Sequence, residues 1–435
     1  MKIMIFFYLF LSLNVFASTT TESVYVQDLR WLSIVSQYRE LTVDHVSSRG
    51  FELYGPVGLK QWLKDNRVTY IDLEFFSQKL KMNSLQYPTY EQIAERLKQV
   101  QNHYPHLVSL KSIGRSNEGR ELWVIKISDN VNVDEVEPEF KYISSMHGDE
   151  ITGRELMLEF IDDLLRNYGQ DSYVTSLINN TEIFIMPSMN PDGSFHQKRG
   201  NAHSIDLNRN FPDVRDPSSY KTTREIETQL VMAFQDSRNF VLSANFHGGA
   251  VVVNYPWDAT YDRHPFDTLV QDLSLDYASL NPEMDSSTEF PRGIVNGADW
   301  YIVRGGMQDW SYAYYGDLQL TIELSEQKWP DYSMIAGYYQ RNRSSLFKYA
   351  GLTHQGAGFK FTQRDASGYV ELFRHDGNTL QPLGRYPYRR GEFYKVLEPG
   401  RYTMKVYNYQ RTFYQEVVVE VKAETIAPNG NYISL

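Results

Sequence analysis

The stretch FKYISSMHGDEITGRELMLEFIDDLLRN, Phe140 to Asn167, decides the fold. Its first part, Phe140 to Met146, reads as a short strand that runs into His147-Gly148-Asp149-Glu150. From Ile151 to Asn167 the residues Leu156, Phe160, Leu164 and Leu165 fall near helical spacing, so a strand leads directly into a helix. The same alternation extends in both directions. Tyr90 to Gln101 predicts a helix, and Leu107–Gly114 and Glu121–Ile127 predict strands joined by the turn-rich Ser116-Asn117-Glu118-Gly119. Thr181–Met186 reads as a strand before the turn signal Asn190-Pro191-Asp192-Gly193. A helix over Arg224–Phe234 follows, then strand Phe240–Phe246 leading into His247, and strand Gln319–Leu324 carrying Glu323. This order predicts an α/β domain over residues 85–350, with a mixed, mainly parallel sheet and helices on both faces.

The flanks read differently. Residues 355–435 have no helical period. Phe359–Thr362, Tyr369–Phe373, Glu392–Val396, Tyr402–Tyr407 and Tyr414–Val421 read as strands, with a tight turn at Glu398-Pro399-Gly400, and predict an all-β antiparallel sandwich. Residues 18–84 form a small N-terminal segment, in which strand Phe51–Tyr54, helix Val57–Asn66 and strand Val68–Leu73 predict a β-α-β unit. Residues 1–17 carry Lys2, an apolar run from Ile3 to Phe16 and the small-x-small ending Val15-Phe16-Ala17. That is the pattern of a signal peptide cut after Ala17. The apolar run is short of the roughly 20 residues that span a bilayer. The expectation is an exported protein, periplasmic or secreted, with no stable membrane anchor once the signal is removed.

A formal charge of −11 argues against nucleic acid as the partner. The chain has no Cys, so a zinc site must be built from His and carboxylate. His147 and Glu150 stand three apart where a strand gives way to a helix, and His247 ends another apolar strand before Gly248-Gly249. In an α/β sheet such strand ends converge at one edge, where the three residues can meet around one metal ion with a fourth position open. Taken alone, His-x-x-Glu is short enough to arise by chance, and each of these side chains also reads as a solvated loop residue.

Seven segments in order carry a more specific signal: His147-Gly148-Asp149-Glu150 with Gly153-Arg154-Glu155-Leu156, Asn190-Pro191-Asp192-Gly193, Asp206 through Asp213, His247-Gly248-Gly249-Ala250, Asn254-Tyr255-Pro256-Trp257-Asp258, Gly305 through Asp309, and Glu323-Leu324-Ser325. Together they resemble the zinc metallocarboxypeptidases of the carboxypeptidase A superfamily. The likeness is greatest to the N/E subfamily, which includes carboxypeptidases D, M and Z and carries a transthyretin-like sandwich after its catalytic domain. The resemblance covers Tyr87 to Leu435. It implies one zinc ion per chain held by His147, Glu150 and His247, with Asp206 orienting the first zinc His. It implies Glu323 as general base and acid, and Arg199, seven residues before Asp206, as oxyanion stabiliser. Asn208 and Arg209 match the pair that grips the substrate's terminal carboxylate, and Tyr301 matches the mobile Tyr that closes over it. Asp258, eleven after His247, matches the acidic base of the side-chain pocket, and Gln308 lines the same pocket. The subfamily often has Asn where Asp149 stands, and cysteines where Glu326 and Gln327 stand.

The resemblance thus implies a monomeric exopeptidase acting on peptide or protein C-termini, with preference for Lys or Arg ends. The strand–helix–strand segment before the catalytic domain resembles a shortened pro-segment. For Arg199 the plain alternative is a surface cation, and for Asp258 a strand-end cap. Two rival functions remain. One is a related amidohydrolase or carboxypeptidase acting on cell-wall peptides that contain diaminopimelate. The other is a binding protein derived from a peptidase, although such proteins typically lose a ligand or the catalytic Glu, and none is lost here.

Overall fold

The computed structural model describes residues 21–38, 40–73, 87–362, 366–410, 412–423 and 432–434. The expected signal peptide and the expected boundary at 84–85 lie outside the described residues. The chain divides into two compact units, Met1–Gln78 and Lys79–Leu435.

In the first unit, Gly50–Pro56, Leu59–Asp65 and Tyr70–Asp72 follow one another as strand, helix and strand. The two strands do not pair with each other. Thr21–Val26 lies between them, antiparallel to both, and Thr42–Ser47 adds a fourth strand outside Gly50–Pro56. The expected strand, helix and strand are thus present, but as part of a four-stranded antiparallel sheet in which a further strand separates the two. Thr21–Val26 gave little signal because only Val24 and Val26 turn inward.

The second unit is built on an eight-stranded sheet. Its order is Ile294–Asn296, Ala250–Tyr255, Leu318–Ser325, Phe240–His247, Glu139–Ser144, Glu182–Met186, Glu121–Ile127 and Val108–Arg115. The four strands from Leu318–Ser325 to Glu182–Met186 run parallel, and antiparallel pairings flank them on either side. Side chains alternate across the sheet. Phe140 and Tyr142 pack on one face against Phe160 and Tyr349, under helices Thr152–Asn167 and Ile335–Gly351. Ile143, Met146 and Phe184 belong to a second core, beneath helices Ile226–Asp236 and Met307–Tyr315. Both faces are apolar, as a central parallel sheet requires. The sequence reading placed no elements over Ala250–Tyr255, Ile294–Asn296, Asp267–Ala278, Met307–Tyr315 or Ile335–Gly351, which complete the sheet edge and the helical layers.

Beyond Gly351 come two further sheets. One has three strands, Glu392–Val396, Gly356–Lys360 and Tyr432–Ser434, and the other four, Thr379–Tyr388, Gly368–Asp376, Gly400–Asn408 and Phe413–Val421. Phe359 and Phe393 from the first and Val370, Met404 and Val419 from the second share one buried core. The pairing is not wholly antiparallel, because Tyr432–Ser434 runs parallel to Gly356–Lys360. Glu398-Pro399-Gly400 passes from one sheet to the other and closes no hairpin. The unanticipated strand Thr379–Tyr388 holds Pro382 and Pro387 and lies at a sheet edge, where a missing N–H is tolerated.

Candidate metal centre and active site

Three strand ends at the C-terminal edge of the parallel strands supply the site. After strand Glu139–Ser144, Ser145 adopts φ 49°, and His147 and Glu150 follow in the loop before helix Thr152–Asn167. The loop is held from outside. Gly148 N–H donates to the Arg199 carbonyl at 3.1 Å, and the Asn190 amide donates to the carbonyls of Met146 and Arg199 at 3.2 and 3.3 Å. A Cβ on Gly148 would lie 2.0 Å from the Gly193 carbonyl carbon, so only glycine lets the two segments meet. Asn190-Pro191-Asp192-Gly193, read as a turn, instead starts helix Pro191–His196, with Asn190 Oδ1 capping Gly193 N. Asn at the N-cap and Pro at the first helical position form a helix-start signal, which here outweighs the turn propensity of the same four residues.

His247 closes strand Phe240–His247, and the parallel register sets Glu323 directly beside it. His147 Nδ1 lies 2.9 Å from Glu150 Oε1, His247 Nδ1 lies 2.9 Å from Glu150 Oε2, and the two Nδ1 atoms are 3.0 Å apart. All three residues are buried. Two imidazole nitrogens facing each other over a carboxylate share at most one proton, so the donors converge on a point that suits a cation. Tetrahedral ligands at zinc bond lengths of about 2.0–2.1 Å stand roughly 3.3 Å apart, so this donor set fits one zinc ion after a small outward shift.

Asp206 joins the trio to the rest of the site. Its Oδ1 faces His147 Nε2 at 3.0 Å and accepts from Asn208 N–H at 2.8 Å, capping the turn Leu207–Arg209. Its Oδ2 accepts from Arg199 Nε at 3.1 Å, and Arg199 Nη1 reaches Glu150 Oε1 at 3.2 Å. Arg199 is 7% exposed, which removes the surface-cation reading. Asn208 Oδ1 accepts from Met307 N–H at 3.0 Å, which leaves its NH2 group to donate elsewhere. Gly305, at φ 69°, comes close enough to the Arg209 carbonyl that a Cβ would collide with it at 2.7 Å. The turn bearing Asn208 and Arg209 therefore docks on the start of helix Met307–Tyr315.

Asp258 sits on the other side of that helix start and is 3% exposed. Asn254 and Gln308 both donate to its Oδ1, at 3.1 and 2.9 Å. Neither takes Oδ2, which faces Gly306. Burial lifts the Asp258 carboxyl to about 7, against a lowering hydrogen bond from Asn254 and the charge of Arg209. The strand-end-cap reading fails, because it is Asp309 that accepts the backbone N–H groups of Asp258 and Ala259, at 2.9 Å each. Segment Gly297–Gly306 wraps the carboxylate, through Ala298 N–H to Trp257 O and Val303 N–H to Asp258 O. Tyr301 lies on this segment, half-buried and edge-on to Trp300.

The structure thus gathers His147, Glu150, His247, Glu323, Arg199 and Asp206 in one cluster, and Asn208, Arg209, Asp258 and Gln308 in a second that Asp206 and the turn connect to the first. Asn254, Asp309 and Gly297 carry no role legible from sequence alone. A Cβ at Gly297 would sit 1.8 Å from Asp258 Oδ1, a constraint visible only once the two segments are packed.

Comparison with known proteins finds similar chains. Carboxypeptidase D of Homo sapiens is 41% identical over 336 residues, which are 70% of this chain and 24% of that protein. The chain therefore spans about a quarter of the length of that relative. Carboxypeptidase M of Mus musculus is 38% identical over 339 residues, 71% of this chain and 75% of the relative. The carboxypeptidase N catalytic chain of Homo sapiens is 35% identical over 370 residues, 72% and 79% of the two chains. Among solved structures, carboxypeptidase A from Helicoverpa armigera superposes with a TM-score of 0.62 at 18% identity, over 77% of this chain and 97% of that one, a likeness of fold. The profile of the family described as zinc carboxypeptidase matches residues 93–345, and the chain belongs to that family.

Proposed function

We propose that the chain is an exported, zinc-dependent carboxypeptidase that acts as a monomer and removes C-terminal Lys or Arg from peptides and proteins. The observation that carries this reading is Asp258, a buried carboxylate held by two amide donors beside the turn that bears Asn208 and Arg209. A planar guanidinium such as Arg209 suits a terminal carboxylate, and that grip makes the enzyme an exopeptidase by geometry. Asp258 then meets the cation of the last side chain. Tyr301 closes over the bound end. Zinc, when bound, supplies Lewis acidity at the scissile carbonyl and acidifies water. Arg199, anchored by Asp206 and Glu150, faces the carbonyl oxygen where negative charge develops. Glu323, beside His247, takes the proton of the attacking water and returns it to the leaving amine.

Among the described residues no helix is long and apolar enough to cross a membrane, and export rests on the sequence pattern of residues 1–17. Hippuryl-Arg, hippuryl-Phe and a diaminopimelate muropeptide, assayed side by side with and without chelator, test the proposal. The expected order is Arg over Phe, with all activity lost to the chelator. A muropeptide cleaved best would move the substrate to the cell wall.

Two further results are expected. Purified protein should hold one zinc per chain, and Glu150→Ala should lose it, because two His ligands remain where three donors converged. Metal analysis checks this, and full activity in metal-free protein would exclude a zinc mechanism. Residues 18–84, proposed as a pro-segment, should restrain activity until they are removed. Equal rates for full-length and trimmed protein on a small substrate would make the segment a permanent part of the enzyme.

A further inference from the structure

Lys395, on strand Glu392–Val396, is a buried lysine with an unusual set of neighbours. It is 3% exposed, and its Nζ lies 4.5 Å from the ring centre of Tyr386 and 4.7 Å from those of Phe266 and Tyr312. Nζ also reaches the Tyr312 hydroxyl at 3.5 Å. No described carboxylate pairs with it, and burial alone pushes its ammonium down to about 7. A cation in an apolar site needs compensation, and here three ring faces supply it. Met would fill the same space at lower cost. What a charge adds is direction, because it fixes the orientation of each ring it faces.

The rings come from both sides of a junction. Tyr386 and Lys395 belong to the two C-terminal sheets, whereas Phe266 and Tyr312 belong to the part of the chain that carries the metal site. Two arms lead from the cage to Asp258. Tyr312 stands four residues after Gln308 on helix Met307–Tyr315, so the two share a face, and Gln308 Nε2 donates to Asp258 Oδ1 at 2.9 Å. On the other arm, Tyr312 packs on His264 at 4.1 Å and on Trp257 at 5.6 Å between ring centres, and Trp257 directly precedes Asp258. Phe266 N–H donates to His264 Nδ1 at 3.1 Å, which ties the cage wall to the same loop.

We propose that Lys395 is a positioning residue for substrate specificity: from the C-terminal sheets, its caged charge fixes the helix and the loop that hold Asp258. This rests on the reading of Asp258 as the floor of the substrate pocket. It also gives the C-terminal sheets a part in catalytic selectivity without a group that touches substrate.

The test compares Lys395→Met with the parent chain on hippuryl-Arg and hippuryl-Phe, with zinc content and melting temperature measured on the same samples. The expected result is a KM for the Arg substrate raised about tenfold, kcat held within about twofold, zinc retained and the Arg-to-Phe ratio lowered. A lower melting temperature with KM and ratio unchanged would make Lys395 a structural residue only and overturn the proposal. Should Lys395→Met fail to fold, Tyr386→Leu opens the same cage from the sheet side while leaving the charge, and is judged by the same two readings. Asp258→Ala separates the two ideas. A ratio lost in Asp258→Ala but kept in the cage variants overturns this proposal alone, and a ratio kept in Asp258→Ala overturns the pocket reading beneath it.

Discussion

Glu323→Gln is expected to lower kcat by about a hundredfold or more, the usual worth of a positioned general base, with zinc content unchanged. Glutamine keeps the size and shape of the side chain but neither accepts the water proton nor returns it to the leaving amine. The residue is 4% exposed and lies on a strand whose neighbours in register are His247 on one side and Val252 on the other. A buried amide at that position therefore costs little in folding, and His147, Glu150 and His247 keep their places. The separation of outcomes is the point of the substitution. Loss of turnover with metal retained assigns the proton transfer to Glu323, and loss of both would place Glu323 among the groups that hold the metal. Near-normal turnover with metal bound would move the base elsewhere, and the direct rival in the cluster is Asp206, which already faces His147 and Arg199.

How far the sequence reached depended on whether a residue's setting is local. The central strands were legible because apolar runs such as Phe240–Phe246 are short, bounded and buried on both faces. The convergence of His147, Glu150 and His247 followed from strand ends meeting at one sheet edge. Ile294–Asn296 was not legible, since three residues carry no period. Thr21–Val26 is not legible because its partners, Gly50–Pro56 and Tyr70–Asp72, lie far along the chain. Within the site, Asp258 and Gln308 were found by spacing within family motifs. Asn254 and Asp309 sit in the same motifs, but which of them binds the side chain of Asp258 and which binds its backbone is decided by packing. Lys395 gave no sequence signal at all, because an isolated Lys in a strand pattern reads as solvent-facing until two sheets and a helix close over it.

Asp258→Ala is expected to lower kcat/KM for Lys- and Arg-ended substrates by roughly two to three orders of magnitude, from the about 3–5 kcal/mol lost when one partner of a buried charge pair is removed. Phe and Leu ends should change far less, since they bring no cation to the pocket. The pH dependence makes the claim sharper. Burial raises the Asp258 carboxyl to about 7, so it is largely neutral below that pH and charged above it. A charged floor attracts the substrate cation and a neutral one does not, so the Arg-to-Phe ratio of kcat/KM should rise as the pH passes through about 7. Lys395, whose ammonium burial lowers to about 7, loses its charge over the same range and acts in the opposite direction, so the series is run in Lys395→Met beside the parent. Taking the ratio removes whatever zinc, Glu323 and Arg199 contribute to both substrates alike, and kcat/KM reports the free enzyme, in which the pocket is empty. In Asp258→Ala the ratio should be low and flat across the same range. Asp309 interacts with Asp258: burial first, and the Asp258 charge second, hold the Asp309 carboxyl well above the usual carboxylate range, so the two carboxyls titrate as a pair. The Asp309 carboxylate accepts the backbone N–H groups of residues 258 and 259, so its removal would displace the loop and disturb every substrate. A ratio that stays high in Asp258→Ala would mean that the cation is met by another group. A ratio that is lost but flat with pH in the parent enzyme would mean that Asp258 is already ionised in the empty pocket, held so by Arg209 across the turn.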